Sequence, residues 1–356
     1  MKIFDEMAKN GHEQLIFNYD RTTGLKAIIA IHDTTLGPAL GGCRMWNYSS
    51  EEEAVIDALR LSRGMTYKCG ISGVDFGGGK TVIIGDPQRG KSEELFRALG
   101  RFVETLGGRY YTGTDVGTTY DDFVYVSRET SSVVGLPEEY GGSGNSSIIT
   151  AFGVWKGIKA CARTVFGSDS LSGLTIAIQG LGKVGGHLVE LLHQEGAELV
   201  VTDINEEYVR DIKERYPVHV VAPEEIFGVS CDIFSPNALG AVLNDETIPR
   251  LKCKIVAGAA NNQLKEPRHG DMLFEKGVLY APDYVINAGG LIQVADEFDG
   301  YSKDRAFKKA AGIYDTLIKI FAIARHRNIP PFRAVDEIVE RRISRIGDIR
   351  GMYVGE

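Results

Sequence analysis

The chain has 356 residues, of which 43% are hydrophobic and 25% are charged, as is usual for soluble globular proteins. Its formal net charge of −8 argues against nucleic acid or an anionic membrane surface as a partner, and no apolar run is long enough to span a bilayer. The five cysteines never show a Cys-x-x-Cys spacing and the seven histidines show no metal-binding spacing, so free thiols and no metal site are expected. Because the start of the chain lacks the apolar segment of a signal peptide, a cytoplasmic location is expected.

Strand and helix signals alternate along the first part of the chain. A helix is predicted over residues 1–16, a strand over 25–31, a turn-rich loop over 37–45, a helix from 51 to about 65, a strand over 81–84, a helix over 92–106 and a short strand over 109–112. Strands that alternate with helices indicate an α/β layer rather than a helical bundle.

A second α/β region follows a stretch of Gly, Ser, Pro and Asn over residues 135–147, which is predicted to link two domains. After a helix over 147–166, six strand signals lie near 174–179, 198–202, 218–221, 231–234, 254–258 and 278–280, as in a doubly wound parallel sheet. The chain after Gly289 is predicted to be helical. The sequence therefore predicts an α/β protein with an α/β domain over 1–135, a Rossmann domain over 145–325, and C-terminal helices over 326–356 that pack back across the cleft onto the first domain.

Two lysines lie in the segment over residues 65–80, around which the first domain is predicted to be organised. Lys68 falls at the end of the helical run from Glu51, and Lys80 follows three glycines and leads into a β-branched strand. Glycines let a ligand come close to the backbone, and a lysine that is desolvated beside a second cation can act as a base near neutral pH. The alternative is a glycine-rich turn with two solvated lysines at its ends.

A glycine-rich motif opens the second domain. The strand over 174–179 runs into Gly180, Leu181, Gly182, Lys183, Val184 and Gly185, and Asp203 closes the next strand eighteen residues after the last glycine. The glycines permit a tight turn and let pyrophosphate approach the helix N-terminus. Asp203 would accept hydrogen bonds from the adenosine ribose and repel a 2′-phosphate, so NAD is favoured over NADP. The alternative is a glycine-rich turn that binds no nucleotide.

A lone carboxylate, Asp115, lies at a predicted strand end between Gly113 and Gly117. A carboxylate in this place can transfer a proton to or from a substrate. The alternative is an ordinary turn or helix-capping aspartate, because a helix is predicted to start just after it.

Taken together, these motifs make the chain resemble the amino-acid dehydrogenase family of glutamate, leucine, valine and phenylalanine dehydrogenases over nearly its whole length. The shared stretches are residues 37–45, 64–68, 77–80, 112–118, 180–185, 258–264 and 281–297. The resemblance implies reversible, NAD-dependent oxidative deamination of an L-amino acid to a 2-oxo acid and ammonia. It also implies a homo-oligomer, which by the same similarity is an octamer.

The resemblance also implies a role for individual residues. Lys68 would bind the substrate carboxylate, Lys80 would activate water at the iminium carbon, and Asp115 would carry protons to and from the nitrogen. The other substrate-binding residues would be Gly41, Met65, Gly113, Asn262, Leu291 and Val294. The cofactor would contact Arg44, Thr150, the six residues of the glycine-rich motif, Asp203, Ala238, Leu239 and Asn261.

The branch within the family is indicated by three departures from leucine dehydrogenases. Those enzymes have alanine where this chain has Gly113, Asn-Leu-Gly-Gly-Ala-Lys where it has residues 75–80, and valine where it has Leu291. All three departures resemble phenylalanine dehydrogenases, since Gly113 would remove a methyl group from the wall of the substrate pocket and Leu291 would reshape the opposite wall. L-Phenylalanine and phenylpyruvate are therefore the expected substrate and product. Leucine dehydrogenase is the alternative, because residues 33–36 and 201–205 are shared with that branch.

Two other classes of function fit the fold less well, since a fold alone does not determine function. A nucleotide-binding regulatory protein would be expected to have lost Lys80 or Asp115, and both are present. A 2-hydroxy-acid dehydrogenase would need a histidine as its acid–base group, and none of the seven histidines has a comparable glycine-rich setting.

Overall fold

The chain divides into two units in the computed structural model, which describes residues 2–350 and, for Arg350, the backbone only. The first unit contains the described residues up to Asn145 and those from Val339 on, and the second unit contains Ser146–Ile338. The boundary at Asn145 falls inside the Gly- and Ser-rich stretch over 135–147. Within the described residues, no helix is long and apolar enough to cross a membrane.

The first unit is built on a mixed sheet of six strands. Its helices are α1 (Ile3–Asn10), α2 (Glu51–Ser72), α3 (Glu93–Glu104) and α4 (Tyr120–Ser127), and its strands are β1 (Gln14–Tyr19), β2 (Lys26–Asp33), β3 (Ala39–Leu40), β4 (Cys43–Trp46), β5 (Gly77–Ile84) and β6 (Tyr110–Tyr111). The strand order is β1-β2-β5-β3-β6, and β4 also pairs with β5. The central strand β5 is antiparallel to β2 and parallel to β3 and β4.

The start of the chain differs from the prediction of one helix over 1–16. Helix α1 ends at Asn10 because Gly11 adopts the left-handed conformation, with φ of 78°, and its N–H bonds to the Met7 carbonyl. The chain then forms β1, which pairs antiparallel with β2. The prediction of a loop over 37–45 was also wrong in part, since β3 and most of β4 lie there as short strands that are specified by their pairing with β5.

The glycines before Lys80 lie in a strand, so the alternative of a glycine-rich turn was wrong. Strand β5 begins at Gly77, and a Cβ at Gly77 or Gly78 would overlap the Asp33 carbonyl or the Thr66 hydroxyl. A Cβ at Gly79 would lie 2.6 Å from the Tyr110 ring. The three glycines therefore let neighbouring elements pack directly on the backbone that carries Lys80.

Helix α2 covers one face of the central sheet and is longer than predicted. It begins after Ser50, whose hydroxyl accepts a hydrogen bond from the Glu53 N–H, and it ends at Gly73, which is left-handed with φ of 72°. Met65 and Lys68 therefore lie inside the helix, in its last two turns. The described end of the chain packs here as well, because Arg342 donates hydrogen bonds to the Gly70 carbonyl at 2.8 Å and the Asp75 carboxylate at 2.7 Å.

Two histidines lie edge to face next to α2. The ring centroids of His12 and His32 are 4.7 Å apart. The Nε2–H of His32 donates to the Asn10 carbonyl at 2.9 Å, so in the neutral ring Nδ1 accepts the hydrogen bond from the Thr66 hydroxyl at 2.8 Å. Burial lowers the pKa of His12, and burial lowers the pKa of His32 to about 4. The fold therefore holds His32 neutral where an unfolded chain would begin to protonate it.

The free energy of unfolding is expected to fall as the pH is lowered from about 6.5 to 4, because the unfolded chain binds a proton at His32 that the folded chain resists. The loss reaches roughly 3 kcal/mol for a pKa that falls from 6.5 to about 4. Denaturation midpoints at fixed protein concentration would be compared for the wild type, His32→Gln and, as a control at an exposed histidine, His219→Gln. In His32→Gln the free energy of unfolding should fall less steeply as the pH is lowered from about 6.5 to 4. An unchanged pH dependence in this variant would contradict the assignment.

The second unit contains a doubly wound parallel sheet. Its helices are α5 (Ser147–Phe166), α6 (Lys183–Gln194), α7 (Glu206–Arg215), α8 (Arg268–Glu275), α9 (Asp283–Ile286), α10 (Gly289–Asp296), α11 (Lys303–Ala311), α12 (Ile313–Arg327) and α13 (Pro331–Arg350), which continues into the first unit. Its strands are β7 (Thr175–Gln179), β8 (Glu198–Thr202), β9 (Val218–Val220), β10 (Ile233–Pro236), β11 (Ile255–Val256) and β12 (Leu279–Tyr280). The order β12-β11-β10-β7-β8-β9, parallel throughout, confirms the predicted fold class. From β7 the chain first adds β8 and β9 on one side of the sheet and then β10, β11 and β12 on the other. Such folds bind ligands at the point where the strand order changes direction, here between β7 and β10.

Candidate active site

Lys80 and Asp115, the two predicted catalytic residues, form a close ion pair in the first unit. Lys80 projects from the central strand β5, where it is paired with Ala30 of β2. Its Nζ donates a hydrogen bond to Asp115 Oδ2 at 2.7 Å, and the side chains are only 6% and 25% exposed. The structure thus brings together two groups that are 35 residues apart in the sequence.

The loop that carries Asp115 is anchored to β4. The Asp115 N–H donates to the Thr118 hydroxyl at 3.0 Å, and that hydroxyl lies 2.9 Å from the Cys43 carbonyl. Helix α4 is capped by Thr119, whose capping box is completed by Asp122. The alternative of a helix-capping role for Asp115 was therefore wrong.

Arg44 binds the same oxygen of the Asp115 carboxylate as Lys80 does. Its Nε donates to Asp115 Oδ2 at 3.1 Å and its Nη1 donates to Asp57 Oδ2 at 2.9 Å. The resemblance implies a cofactor contact for Arg44, and that role stays a prediction. The described contacts of its guanidinium in the first unit are with two carboxylates.

The charges around Asp115 keep it ionised. Burial by itself would raise the pKa of Asp115, but the Lys80 ammonium and the Arg44 guanidinium outweigh this effect and hold the pKa below its ordinary value. For Arg44, burial would lower the pKa, but the Asp115 and Asp57 carboxylates raise it overall. Asp115 is therefore a carboxylate at neutral pH and can accept a proton from a substrate.

The predicted substrate-binding residues of the first unit lie on elements that contact β5. Lys68 and Met65 are partly buried and three residues apart on α2. A Cβ at Gly41 would overlap the Gly79 carbonyl, so Gly41 lies directly against the backbone that precedes Lys80. The Tyr110 hydroxyl fixes this contact by donating a hydrogen bond to the Gly41 carbonyl at 2.6 Å.

The surroundings of Gly113 differ from those expected of an open pocket wall. A Cβ at Gly113 would lie 2.9 Å from the Val134 carbonyl oxygen and 3.5 Å from Val134 Cγ2. The backbone of Val134 is held in place because its N–H donates to the Thr112 carbonyl at 2.9 Å. A methyl group here would therefore press on the Val134 segment. The glycine is thus needed by the neighbouring backbone, in addition to any room that it leaves for a substrate.

The glycine-rich motif of the second unit forms the turn between β7 and α6. Gly180 has φ of 97°, and a Cβ there would lie 2.8 Å from Ala238. Gly182 is the N-cap residue just before α6. Within the described part of the chain no side chain caps the helix, and no neighbouring heavy atom lies within 4 Å of the place of a Cβ at Gly182. An uncapped helix N-terminus beside open space can bind an anion. The arrangement fits the pyrophosphate of a dinucleotide.

Asp203 lies directly against this turn. Its Oδ2 accepts a hydrogen bond from the Leu181 N–H at 2.6 Å, and its Oδ1 accepts one from the Asn205 N–H at 2.8 Å. The side chain remains partly exposed. Of the other predicted cofactor residues, Ala238 lies next to Gly180 and Leu239 is 73% exposed.

A set of asparagines orders the segment that contains Asn261 and Asn262. The buried Asn287 donates hydrogen bonds to Asn261 Oδ1 at 2.7 Å and to the Ala259 carbonyl at 3.0 Å. The Ala259 N–H in turn donates to Asn237 Oδ1 at 2.8 Å. Asn287 was absent from the predicted site residues, although its position before Ala-Gly-Gly in the shared stretch over 281–297 was a usable signal.

Three further predicted residues lie around the start of α10. Leu291 and Val294 are three residues apart on α10 and so share one face of the helix. A Cβ at Gly290 would lie 3.2 Å from Thr150 Oγ1, so Thr150 of α5 lies beside the residue that precedes Leu291. Among residues 2–350, no group of three or more His, Cys, Asp or Glu side chains is placed to hold a metal ion.

Comparison with known proteins places these features in a family. The model described as "Glu/Leu/Phe/Val dehydrogenase, dimerisation domain" matches residues 12–132, and the model described as "Glutamate/Leucine/Phenylalanine/Valine dehydrogenase" matches 141–206 and 199–312. The chain is 56% identical to the leucine dehydrogenase of Geobacillus stearothermophilus over 99% of its own length and 96% of that protein's. It is also 56% identical to the phenylalanine dehydrogenase of Caldalkalibacillus thermarum, over 98% and 95% of the two chains. The solved L-tryptophan dehydrogenase of Nostoc punctiforme matches with a TM-score of 0.86 and 46% identity, over 97% and 99% of the two chains.

Proposed function

Since the chain belongs to the Glu/Leu/Phe/Val dehydrogenase family, we propose that it catalyses the reversible NAD-dependent oxidative deamination of L-phenylalanine to phenylpyruvate and ammonia. The observation that carries the chemistry is the buried pair of Lys80 and Asp115, joined at 2.7 Å. Such a pair places a carboxylate that can accept a proton next to an amine that can donate one.

Each group in the first unit has a chemical task in this reaction. The ammonium of Lys68 would bind the substrate carboxylate, and the ionised Asp115 would take a proton from the substrate nitrogen. Lys80, as the neutral amine left once its own proton has passed to solvent, would take a proton from the water that attacks the iminium carbon. The hydrogen bond between Lys80 and Asp115 gives the proton a direct path between the two groups.

The second unit would bind the cofactor. The glycine-rich turn and the N-terminus of α6 would hold the pyrophosphate, and Asp203 would hold the adenosine ribose. Asn261 would lie at the nicotinamide ribose, with its side chain oriented by Asn287. When bound, NAD supplies the hydride acceptor.

L-Leucine is the second candidate substrate. It is favoured by the identity of 56% to a leucine dehydrogenase, which equals the identity to a phenylalanine dehydrogenase. Gly113 and Leu291 favour L-phenylalanine, because these residues differ from the alanine and valine of leucine dehydrogenases.

The test is the reduction of NAD with L-phenylalanine, L-leucine and L-alanine, followed by NADH absorbance at equal enzyme concentration. We expect the highest kcat/KM for L-phenylalanine. A higher value for L-leucine would select the second candidate. No reduction with any of several L-amino acids would contradict the proposed reaction.

The choice of NAD over NADP is proposed to depend on the charge of Asp203. Asp203→Asn keeps an oxygen at the distance of the Leu181 N–H and removes the charge, whereas Asp203→Ser removes the charge and leaves only a shorter side chain with one hydroxyl. Both variants should raise the NADP to NAD ratio of kcat/KM by about tenfold or more, because a surface charge pair about 4 Å apart is worth roughly 1–4 kcal/mol. Glu206→Gln, at a neighbouring exposed carboxylate, is the control. A ratio that stays at the wild-type value in both variants would contradict the assignment.

The protein is further proposed to be a homo-oligomer, and an octamer by family resemblance. This proposal is supported by the match of residues 12–132 to a family model described as a dimerisation domain. Light scattering during size-exclusion chromatography measures the mass directly, and a mass of one 38.9 kDa chain would contradict it.

A further inference from the structure

The charge network around Asp115 continues beyond Arg44 to a residue that the sequence did not single out. Asp57, in the first half of α2, accepts hydrogen bonds from three side chains. Arg44 Nη1 and the Tyr48 hydroxyl donate to its Oδ2 at 2.9 and 2.8 Å, and Arg60 Nη2 donates to its Oδ1 at 2.9 Å. Its side chain is only 15% exposed.

This carboxylate is ionised although it is largely buried. Burial would raise the pKa of Asp57, but hydrogen bonds from Arg60 and Tyr48 and the charge of Arg44 hold it below its ordinary value. A buried ion pair is weak evidence for stability, because desolvation of the two charges offsets much of their attraction. The position of this pair, one guanidinium away from Asp115, suggests a role in the chemistry.

The guanidinium of Arg44 is shared between the two carboxylates. It is planar with donors in fixed directions, so a hydrogen bond at Nη1 also fixes the direction of Nε–H. With Asp57 bound at Nη1, Nε–H points at Asp115 Oδ2 and lies 3.1 Å away. Asp57 also neutralises part of the positive charge that would otherwise act on Asp115.

We propose that Asp57 is a positioning residue for the deamination, which restrains Arg44 to one hydrogen bond with Asp115 and moderates the positive charge that Asp115 experiences. The proposal rests on the proposed function above. Asp57 acts through Arg44 and has no assigned contact with substrate or cofactor.

Among the described residues, several titratable or charged groups face these two carboxylates. They are Lys80 on β5, Arg44 on β4, Tyr48 after β4, and Arg60 and Glu53 on α2, together with the buried Cys43 and Tyr110. Burial raises the pKa of Cys43, Tyr48 and Tyr110, so these three groups stay neutral near pH 7. Loss of the Asp57 charge therefore leaves Asp115 as the ionised partner of both Lys80 and Arg44, and leaves Arg60 without its carboxylate at position 57.

The test is the pH dependence of kcat for Asp57→Asn, which removes the charge, keeps one oxygen acceptor and puts an NH2 donor in place of the other. The acid limb of the profile is expected to move to lower pH by about one unit, because the full charge of Arg44 then stabilises ionised Asp115. The plateau of kcat is expected to fall about tenfold, because Asp115 becomes a weaker base. Asp57→Glu, which restores the charge, should return the acid limb toward its wild-type position.

Glu129→Gln is the matched control, since Glu129 is also a largely buried carboxylate bound by two arginines, Arg97 and Arg101, at 2.6 and 3.3 Å. It should leave the pH profile unchanged. If Asp57→Asn lowers the melting temperature but leaves both the acid limb and kcat unchanged, Asp57 is merely structural and the proposal is overturned.

A crystal structure of Asp57→Asn separates this proposal from the proposed function. We expect the Arg44 guanidinium, no longer bound by an ionised carboxylate at position 57, to turn toward Asp115 and to replace the single 3.1 Å contact with a closer one. An unchanged contact would overturn the positioning role whatever the enzyme's substrate is. Inactivity of the wild type with all L-amino acids would instead overturn the proposed reaction, and the crystal structure would still decide whether Asp57 positions Arg44.

Discussion

Replacement of Lys80 by alanine is expected to lower kcat by about 10²–10⁴-fold, the range usual for loss of a general acid–base group. The reason is the position of Lys80, which is buried on the central strand with its Nζ 2.7 Å from Asp115 Oδ2. The glycine-rich turn and Asp203 belong to the other unit, so NAD affinity should be retained. Steady-state kinetics and NAD binding by calorimetry are the measurements.

A second lysine in an ion pair, the partly buried Lys91, provides the control for Lys80. Lys91 pairs with Asp122 at 2.6 Å in the same unit, and their side chains are 23% and 11% exposed. Lys91→Ala therefore removes an ion pair of similar length without touching Asp115, and its turnover should stay close to the wild type. A Lys80→Ala variant that keeps more than about a hundredth of wild-type turnover would contradict the catalytic assignment.

The double variant Gly113→Ala, Leu291→Val is expected to move substrate preference from L-phenylalanine toward L-leucine by about 10- to 200-fold at most, because one methylene in an apolar pocket is worth roughly 1–3 kcal/mol. The new methyl group at position 113 would lie 2.9 Å from the Val134 carbonyl oxygen, so the Val134 segment must shift to accommodate it. The change in preference would then come from this shift as well as from the methyl group itself. The measurement is kcat/KM for both amino acids.

The single variants distinguish a change of pocket shape from backbone strain. Leu291→Val shortens a side chain on α10 and should change the ratio of the two kcat/KM values without a general loss. Ile292→Val removes the same amount of side chain one position later on that helix, and is the control for stability. If Gly113→Ala lowers activity equally with both amino acids, Gly113 is required by the backbone at Val134 and does not select the substrate.

The sequence predicted the second unit better than the first for a physical reason. Its six strands and helix α5 are separated by turns and helices, so each has a local pattern of its own. In the first unit, β3 and β4 are two and four residues long and exist because they pair with β5. Strand β3 and most of β4 lie in the Gly-rich stretch over 37–45, which gives no strand signal, whereas the equally short β11 and β12 of the second unit lie in apolar runs.

The candidate site was predictable where a residue's chemical type and its flanking glycines gave the signal. Lys80, Asp115 and the glycine-rich turn were found in this way. The partners of Arg44 could not be found, because they are 13 and 71 residues away in the sequence and a guanidinium can bind any carboxylate within reach. The contact that a Cβ at Gly113 would make could not be predicted either, since it depends on where Val134 lies in the fold.

The close packing on strand β5 limits how this enzyme can be re-engineered. At residues 77–79 any side chain would meet a carbonyl, a hydroxyl or the Tyr110 ring, with the largest clearance being 2.6 Å at Gly79. A library randomised at these three codons should return almost only glycine at 77 and 78, and at 79 only glycine or the alanine that leucine dehydrogenases have there, whatever amino acid is used for selection. Directed evolution toward new substrates therefore has to take its variation from other segments, while this strand keeps Lys80 in a constant place from one generation to the next.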